Sequence, residues 1–520
     1  MNPSGDYFEV VVFASDGTPL DWAPQNLIMV LDLEHMPAFP HRPMIVDIGY
    51  GCVRLPCADG PFAIGMPLAV SGFGHNHVYA DNEGRGYDHR EVRRTRLNLN
   101  LEFAKSRLAA VKRAAEQWKT DLPQSSIGTH PPSLSADYQD EVAQAETLLA
   151  DALAHASDPM RQARLAMSSL ASSLSAGERL SLERARARIA AAKARKGFLF
   201  GCNGFGLTKL GPRYAELFQG VLNYVTAPFY RAAIVEPVKG RRDYSAAEAI
   251  HGWASKAGMQ VKGHPLIWLH EAGTPDWQRG MSYPDLLASH LDYIDDAVGR
   301  FAGRIDRWDI INEAHSWNNI HRWPYEKLVE ITGRAAQAVH ARNPRAQRVV
   351  NLCFTWSEYV ATGWGWNNVL DDRPRSTLEY ARDLLGANVD FEVIGLQMYD
   401  PSRDLFEIDR QIETFCSLGK KVHVTEMGIS SANDPIVTPT QVYVPNRMQW
   451  HGRPWSEQEQ ADWIEGFYTI CYAKPQVEAL TWWDFADPTF LPHGGMLDKD
   501  LKPKESYRRL KSLIESWGLR

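Results

Sequence analysis

Arg307-Trp-Asp-Ile-Ile-Asn-Glu313 is the stretch on which the fold turns: an apolar β-type run that ends in a carboxylate. A charge at the end of a buried strand is costly unless something uses it. Working outward, seven more short runs of this kind alternate with helical patterns. Phe198-Leu-Phe-Gly201, Asn223-Tyr-Val-Thr226 and Val261-Lys-Gly-His-Pro-Leu-Ile-Trp268 precede it. Arg348-Val-Val-Asn-Leu-Cys353, Phe391-Glu-Val-Ile-Gly-Leu-Gln397, Lys421-Val-His-Val-Thr-Glu426 and Leu480-Thr-Trp-Trp-Asp484 follow. Eight strand–helix units over residues 197–520 predict an α/β fold, a (β/α)8 TIM barrel. The C-terminal strand ends of such a barrel open into its site, and there the polar and aromatic residues of these runs stand.

The remaining residues have other patterns. Residues 1–90 carry short β runs, such as Phe8-Glu-Val-Val-Val-Phe13 and Leu27-Ile-Met-Val-Leu-Asp-Leu33, punctuated by Gly, Pro and Asp. They predict a small β-sandwich-like domain, with a carbohydrate-binding role and a structural accessory role both open. Residues 91–196 read as a helical hairpin, with Leu97, Leu101, Ala104, Leu108, Val111, Ala115 and Trp118 forming one apolar seam. A chain of 520 residues is long enough for two or three such domains.

Composition narrows the function. The net charge is −7, with both signs mixed along the chain, which argues against nucleic-acid and anionic-membrane partners. No apolar stretch approaches the ~20 residues of a membrane span. The N-terminus lacks the basic and apolar regions of a signal peptide, so the chain as written reads as cytoplasmic or as a trimmed secreted protein. Six cysteines without CxxC pairs predict reduced thiols, and a monomer is expected. His75-Asn-His77 with Asp81 could hold a metal, but loop histidines facing solvent are the plainer reading, and no metal or cofactor is expected. Seventeen tryptophans favour a carbohydrate partner, because sugar rings need flat apolar surfaces.

A second strand, Val422-His-Val-Thr-Glu426, also ends in a carboxylate. Either Glu alone could be a salt-bridge partner. Two at one barrel mouth, one preceded by Asn312, fit a retaining glycosidase, whose carboxyls stand ~5–5.5 Å apart across the scissile bond. Glu313 is then the expected acid/base and Glu426 the expected nucleophile. Asn312 suits the sugar 2-hydroxyl. Two rivals stay open: a β-glycosidase of other specificity, and a binding-only protein that keeps the cleft without catalysis.

Residues 198–520 resemble glycoside hydrolase family 10, the retaining β-xylanases of clan A. Gly263-His-Pro-Leu-Ile-Trp268 and Pro275-Asp-Trp277 resemble the family's third-strand motif, and Trp308-Asp-x-x-Asn-Glu313 its acid/base strand. Gly395-Leu-Gln397, Thr425-Glu426, Thr481-Trp-Trp483 and the tail from Gly494 to Tyr507 resemble strands six, seven and eight and the family's ending. The resemblance implies that His264 and Gln397 contact the sugar at the cleavage site and that Trp268 and Trp483 wall it.

Departures from the family pattern bear on the substrate. Strand two reads Thr226-Ala-Pro-Phe-Tyr-Arg-Ala-Ala233, without the Glu, Asn and Lys that grip the glycone in the family. Tyr399 stands where the family has a His that bonds the nucleophile; its hydroxyl could donate there directly. Pro228, Phe229 and Ala232 are expected to give strand two an apolar wall. Trp356, Trp364 and Trp366, with Tyr443, Trp450 and Trp455, are the candidates for rebuilt cleft walls. The expected activity is retaining hydrolysis of β-glycosidic bonds in a xylan-like or related β-glycan.

Overall fold

The computed structural model describes residues 7–21, 28–38, 45–93, 96–121, 134–315, 319–362, 373–399, 402–432, 449–488 and 491–519. Within the first 98 residues lie β1 (Tyr7–Val11), β2 (Met29–Leu31), β3 (Val46–Gly49), β4 (Cys52–Pro56), β5 (Ala63–Val70), β6 (Gly74–Ala80) and β7 (Arg96–Asn98). They form one sheet in the order β3-β4-β1-β7 and another in the order β2-β5-β6. Both sheets contribute to a single apolar core, Phe8, Val10 and Leu55 from one and Val30, Ile64 and Val78 from the other. The pleat explains β1: Phe8 and Val10 point inward, while Glu9 points out to Arg54 at 3.0 Å and Arg96 at 2.7 Å. The β structure runs on to Asn98, because β7 pairs in parallel with β1.

Three helices follow, Leu99–Asp121, Ala136–Ala154 and Pro159–Ala191. Ser135 caps the second by accepting from the Tyr138 N–H at 3.2 Å. Asp158 caps the third, with Pro159 in its first turn. The seam of the first helix is divided between two partners. Phe103 and Ala104 enter the β core, whereas Val111, Ala115 and Trp118 pack with Ala176 and Leu180 of the long third helix.

The barrel consists of β8 (Leu199–Asn203), β9 (Tyr224–Pro228), β10 (Gln260–His264), β11 (Arg307–Asn312), β12 (Gln347–Leu352), β13 (Val393–Met398) and β14 (Lys421–Met427), closed by β17 (Val477–Trp482). All eight run parallel, and β17 pairs with β8. A two-stranded ribbon, β15 (Gln449–Trp450) and β16 (Arg453–Pro454), lies in the insertion after β14. Two glycines let the barrel close around large neighbours. A Cβ on Gly263 would come within 2.3 Å of the fully buried Trp308 ring on β11. One on Gly395 would meet Thr425 at 2.8 Å and the Asn351 amide at 3.0 Å. Several residues of the tail motif act in packing: Lys504 pairs with Asp487, and Tyr507 donates to the Leu217 carbonyl at 3.0 Å.

The chain divides into two compact units. One comprises Met1–Ala194, Asp400–Ile412 and Ser431–Lys474; the other comprises Arg195–Tyr399, Glu413–Ser430 and Pro475–Arg520 and holds all eight barrel strands. The six cysteines form no disulfide. Among the described residues no helix is long and apolar enough to cross a membrane.

Candidate active site

Glu313 follows directly on β11, with its backbone in the left-handed region at φ 54°. A non-glycine residue rarely adopts that conformation unless its surroundings impose it. Two interactions do so here: the Glu313 N–H donates to the Asn351 carbonyl at 2.9 Å, and the Asn312 N–H donates to the Ile267 carbonyl at 2.8 Å. The last residue of β11 is thereby held between its neighbours, and the Glu313 side chain turns to where Trp268 Nε1 donates to its Oε2 at 3.1 Å.

Glu426 is the penultimate residue of β14 and lies in a ring of donors. Asn351 Nδ2 donates to its Oε1 at 3.0 Å, Gln397 Nε2 to the same oxygen at 3.1 Å, and the Tyr399 hydroxyl to its Oε2 at 3.2 Å. Gln397 Nε2 also donates to Glu313 Oε1 at 2.7 Å, so one amide spans both carboxyls. Together the two Gln397 distances cap the separation of those oxygens at about 5.8 Å. The Asn312 side-chain oxygen Oδ1 accepts from Asn351 Nδ2 at 2.7 Å and from Gln397 Nε2 at 3.4 Å. Both glutamates are buried. Burial, with the charge of Glu313 beside it, pushes Glu426 up to about 8, against the Lys262 charge and the Asn351 amide. Tyr399 is pushed well up by burial and by Glu426, which keeps it a donor.

His264 lies at the end of β10. Its Nδ1 is 2.6 Å from Asp309 and its Nε2 3.0 Å from the Tyr230 hydroxyl. Burial lowers its pKa, while Asp309 pulls the other way. The geometry therefore assigns a neutral ring with the proton on Nδ1, accepting from Tyr230 at Nε2. Asp309 also meets Lys262 at 2.8 Å, both fully buried. Burial alone would raise Asp309, but Lys262 and His264 together hold it below its ordinary value. His264 Nε2 stands 3.8 Å from Glu426 Oε1. Trp483 meets the His264 ring nearly edge-on at 5.2 Å, and the Trp483 N–H donates to the Met427 carbonyl at 2.7 Å.

The structure thus groups Glu313, Glu426, Asn312, Gln397, Tyr399, His264, Trp268 and Trp483 in one cluster at the C-terminal strand ends. Four further residues belong to it: Tyr230, Lys262, Asp309 and Asn351. For Lys262, Asp309 and Asn351 the signal in the sequence was a polar side chain at a buried position of an apolar strand, with Lys262 and Asp309 as complementary charges; Tyr230 follows β9 and gave no such signal.

Several expected walls lie elsewhere. Phe229 is fully buried against Phe301 and Trp308, so the residue that strand two brings to the cluster is Tyr230. Trp356 is buried as a core residue. Trp450 and Trp455 stack on each other and are buried within the other unit. Trp364, Trp366 and Tyr443 lie outside the described residues. His75-Asn-His77 is part of β6 rather than a loop, and His77 is buried with its ring 3.1 Å from the Ser402 hydroxyl. Among the described residues, no group of three or more His, Cys, Asp or Glu is placed to hold a metal.

A closed parallel barrel with paired glutamates at its C-terminal end has the architecture of a barrel glycoside hydrolase. Residues 189–513 match the model of glycosyl hydrolase family 10, and the chain belongs to that family. It is 25% identical over 337 residues to endo-1,4-beta-xylanase B of Thermotoga neapolitana, covering 61% of this chain and 88% of that one. It is also 25% identical over 299 residues to a beta-1,4-xylanase of Dictyoglomus thermophilum, covering 53% and 76%. A solved family 10 structure from Paenibacillus barcinonensis superposes with a TM-score of 0.48 at 20% identity, covering 63% of this chain and 98% of that one.

Proposed function

We propose that the enzyme hydrolyses β-glycosidic bonds of a xylan-like or related β-glycan with retention, with Glu426 as nucleophile and Glu313 as acid/base. The observation that carries the proposal is the single Gln397 amide bridging both carboxyls. The cap it sets on one pair of carboxyl oxygens accommodates a retaining pair at ~5–5.5 Å and lies below the ~6.5 Å at which inverting pairs begin. The names of the relatives support the substrate class.

With Glu426 raised to about 8, the pair holds one proton near neutrality. Three donors converge on Glu426 and serve its ionised form. Burial favours that proton on Glu426, and in the productive state it passes to Glu313 and leaves Glu426 ionised. Glu313 gives it to the leaving oxygen as a Glu426 oxygen bonds to the anomeric carbon. The ester at Glu426 is uncharged, so Glu313, now ionised, no longer faces a negative neighbour. It takes a proton from water, whose oxygen displaces Glu426 from the anomeric carbon. The Asn312 side-chain oxygen is engaged by Asn351 and Gln397, leaving its Nδ2 to donate to the sugar 2-hydroxyl.

Covalent trapping tests this assignment. A 2-deoxy-2-fluoro aryl β-glycoside should label one peptide, that containing Glu426. Azide should restore turnover of an activated aryl glycoside to Glu313→Ala, yielding a β-glycosyl azide, and to Glu426→Ala with an α product. A label on another residue, or an active Glu313/Glu426 double variant, would refute it.

A further inference from the structure

A cavity of about 280 Å³ lies wholly within the unit that contains Met1–Ala194. Four stretches of chain converge on it: the turn at His35, the end of β6 with the turn after it, the helix Leu99–Asp121 and the helix beginning at Leu405. Its charges are matched in pairs. Arg107 meets Asp404, and Arg410 meets Glu407 at 2.6 Å. Asp81 and Arg113, one of each sign and not paired with each other, also line it, with Ser106. The cavity is therefore rich in donors and acceptors but carries little net charge. An anion drawn to Arg113 would also face the acidic groups Asp81 and Glu407, which line the same cavity. A polyol would suit it, because each hydroxyl can donate to a carboxylate and accept from a guanidinium. Flat surfaces accompany these groups: His35 stacks on Tyr79 at 4.1 Å, and Arg107 lies over the Phe406 ring at 5.1 Å.

A second observation marks the same place. His35 has its backbone at φ 66°, in the left-handed region that a side chain disfavours. The turn is held there from several sides. The Asp32 carboxylate accepts from the N–H groups of Glu34 at 2.8 Å and Met36 at 2.9 Å. Arg410 donates to the Glu34 carbonyl at 3.4 Å, and His35 Nδ1 lies 3.4 Å from Glu407. These contacts fix the turn and give the cavity a preformed wall.

We infer that this cavity binds a neutral saccharide, one ring at a time. Its volume is just under the ~300 Å³ at which small-molecule pockets begin, enough for one sugar ring and too little for an oligosaccharide. Arg113 is exposed at the rim, donates to the Glu83 carbonyl at 2.6 Å and meets no carboxylate among the described residues. It is placed to reach the hydroxyls of the bound sugar. The inference shares only a ligand class with the catalytic proposal and concerns a separate site.

Saturation-transfer NMR on the full chain tests it, with methyl β-xylopyranoside, methyl β-glucopyranoside and methyl β-glucuronide as probes. Ala110→Phe fills the cavity, and Arg113→Ala removes the rim donor without adding bulk. Transfer to the neutral glycosides should fall about twofold in Ala110→Phe, the remainder coming from the catalytic cleft, and by a smaller fraction in Arg113→Ala. Hydrolysis of an aryl β-glycoside should stay unchanged in both. If Ala110→Phe fails to fold, as judged by its thermal melt, Arg113→Ala alone decides. Equal transfer to parent and variants would overturn the inference, as would loss confined to the glucuronide. A parent that hydrolyses no aryl glycoside but shows the variant-dependent transfer would sink the catalytic reading and leave this one standing.

Discussion

At Glu426 the barrel holds a carboxyl where ionisation is disfavoured, and this has a measurable cost. Its pKa of about 8 in the folded chain lies above the ordinary 4.5. Between these values the folded state keeps a proton that the unfolded state releases, so stability falls as pH rises from about 4.5 to 8. Glu426→Gln removes this titration. The variant should lose activity by several orders of magnitude yet be more stable than the parent at pH 8, by about 2–4 kcal/mol. The gain should vanish near pH 4, and denaturant titrations at both pH values check it. The same proton sets the basic limb of kcat/KM: activity should decline above about pH 8, where the pair loses it. A rate that keeps rising past pH 9 would contradict the shared proton. Tyr399→Phe removes one of the donors to Glu426 and should lower kcat by about tenfold or more while leaving the fold intact.

At the scale of the element, β10 and β11 are matched through Gly263. Any side chain there drives into the Trp308 ring, 2.3 Å from the added carbon, and the ring has no room to retreat because it is fully buried. Gly263→Ala should cost about 1–3 kcal/mol in urea denaturation. It should also lower kcat, since the displaced strand carries His264 and Trp268. An unchanged denaturation midpoint would show that the ring can move after all. The strands themselves were legible because each is a short, largely apolar run set between helical patterns. The hydrogen bonds between strand ends were not. Asn351 reaches both Asn312 and Glu426, and Tyr230 reaches His264, because barrel closure places strands distant in sequence side by side.

At the scale of the molecule the open question is specificity. Strand two lacks the three polar ligands expected of family xylanases and brings Tyr230, whose hydroxyl is already given to His264. Three lost hydrogen bonds, some to charged groups, amount to roughly 3–6 kcal/mol of binding. Linear xylohexaose should therefore be cut with no more efficiency than an aryl β-xyloside. Internal cleavage of the hexaose at a far higher efficiency would show an ordinary endo-acting cleft. The eight-unit barrel and the two strand-end glutamates were determined by sequence alone, because pleat and helix periodicity are local and a carboxylate closing an apolar strand stands out. Only the tertiary structure decided that Phe229 and Trp356 are packed into the core and that Trp450 stacks on Trp455. Only it brought residues 402–412 to the helix Leu99–Asp121 to enclose a second cavity. An aromatic ring reads the same in sequence whether it faces a cleft or a core; what separates the two is which distant segment packs against it, and that is set by the fold.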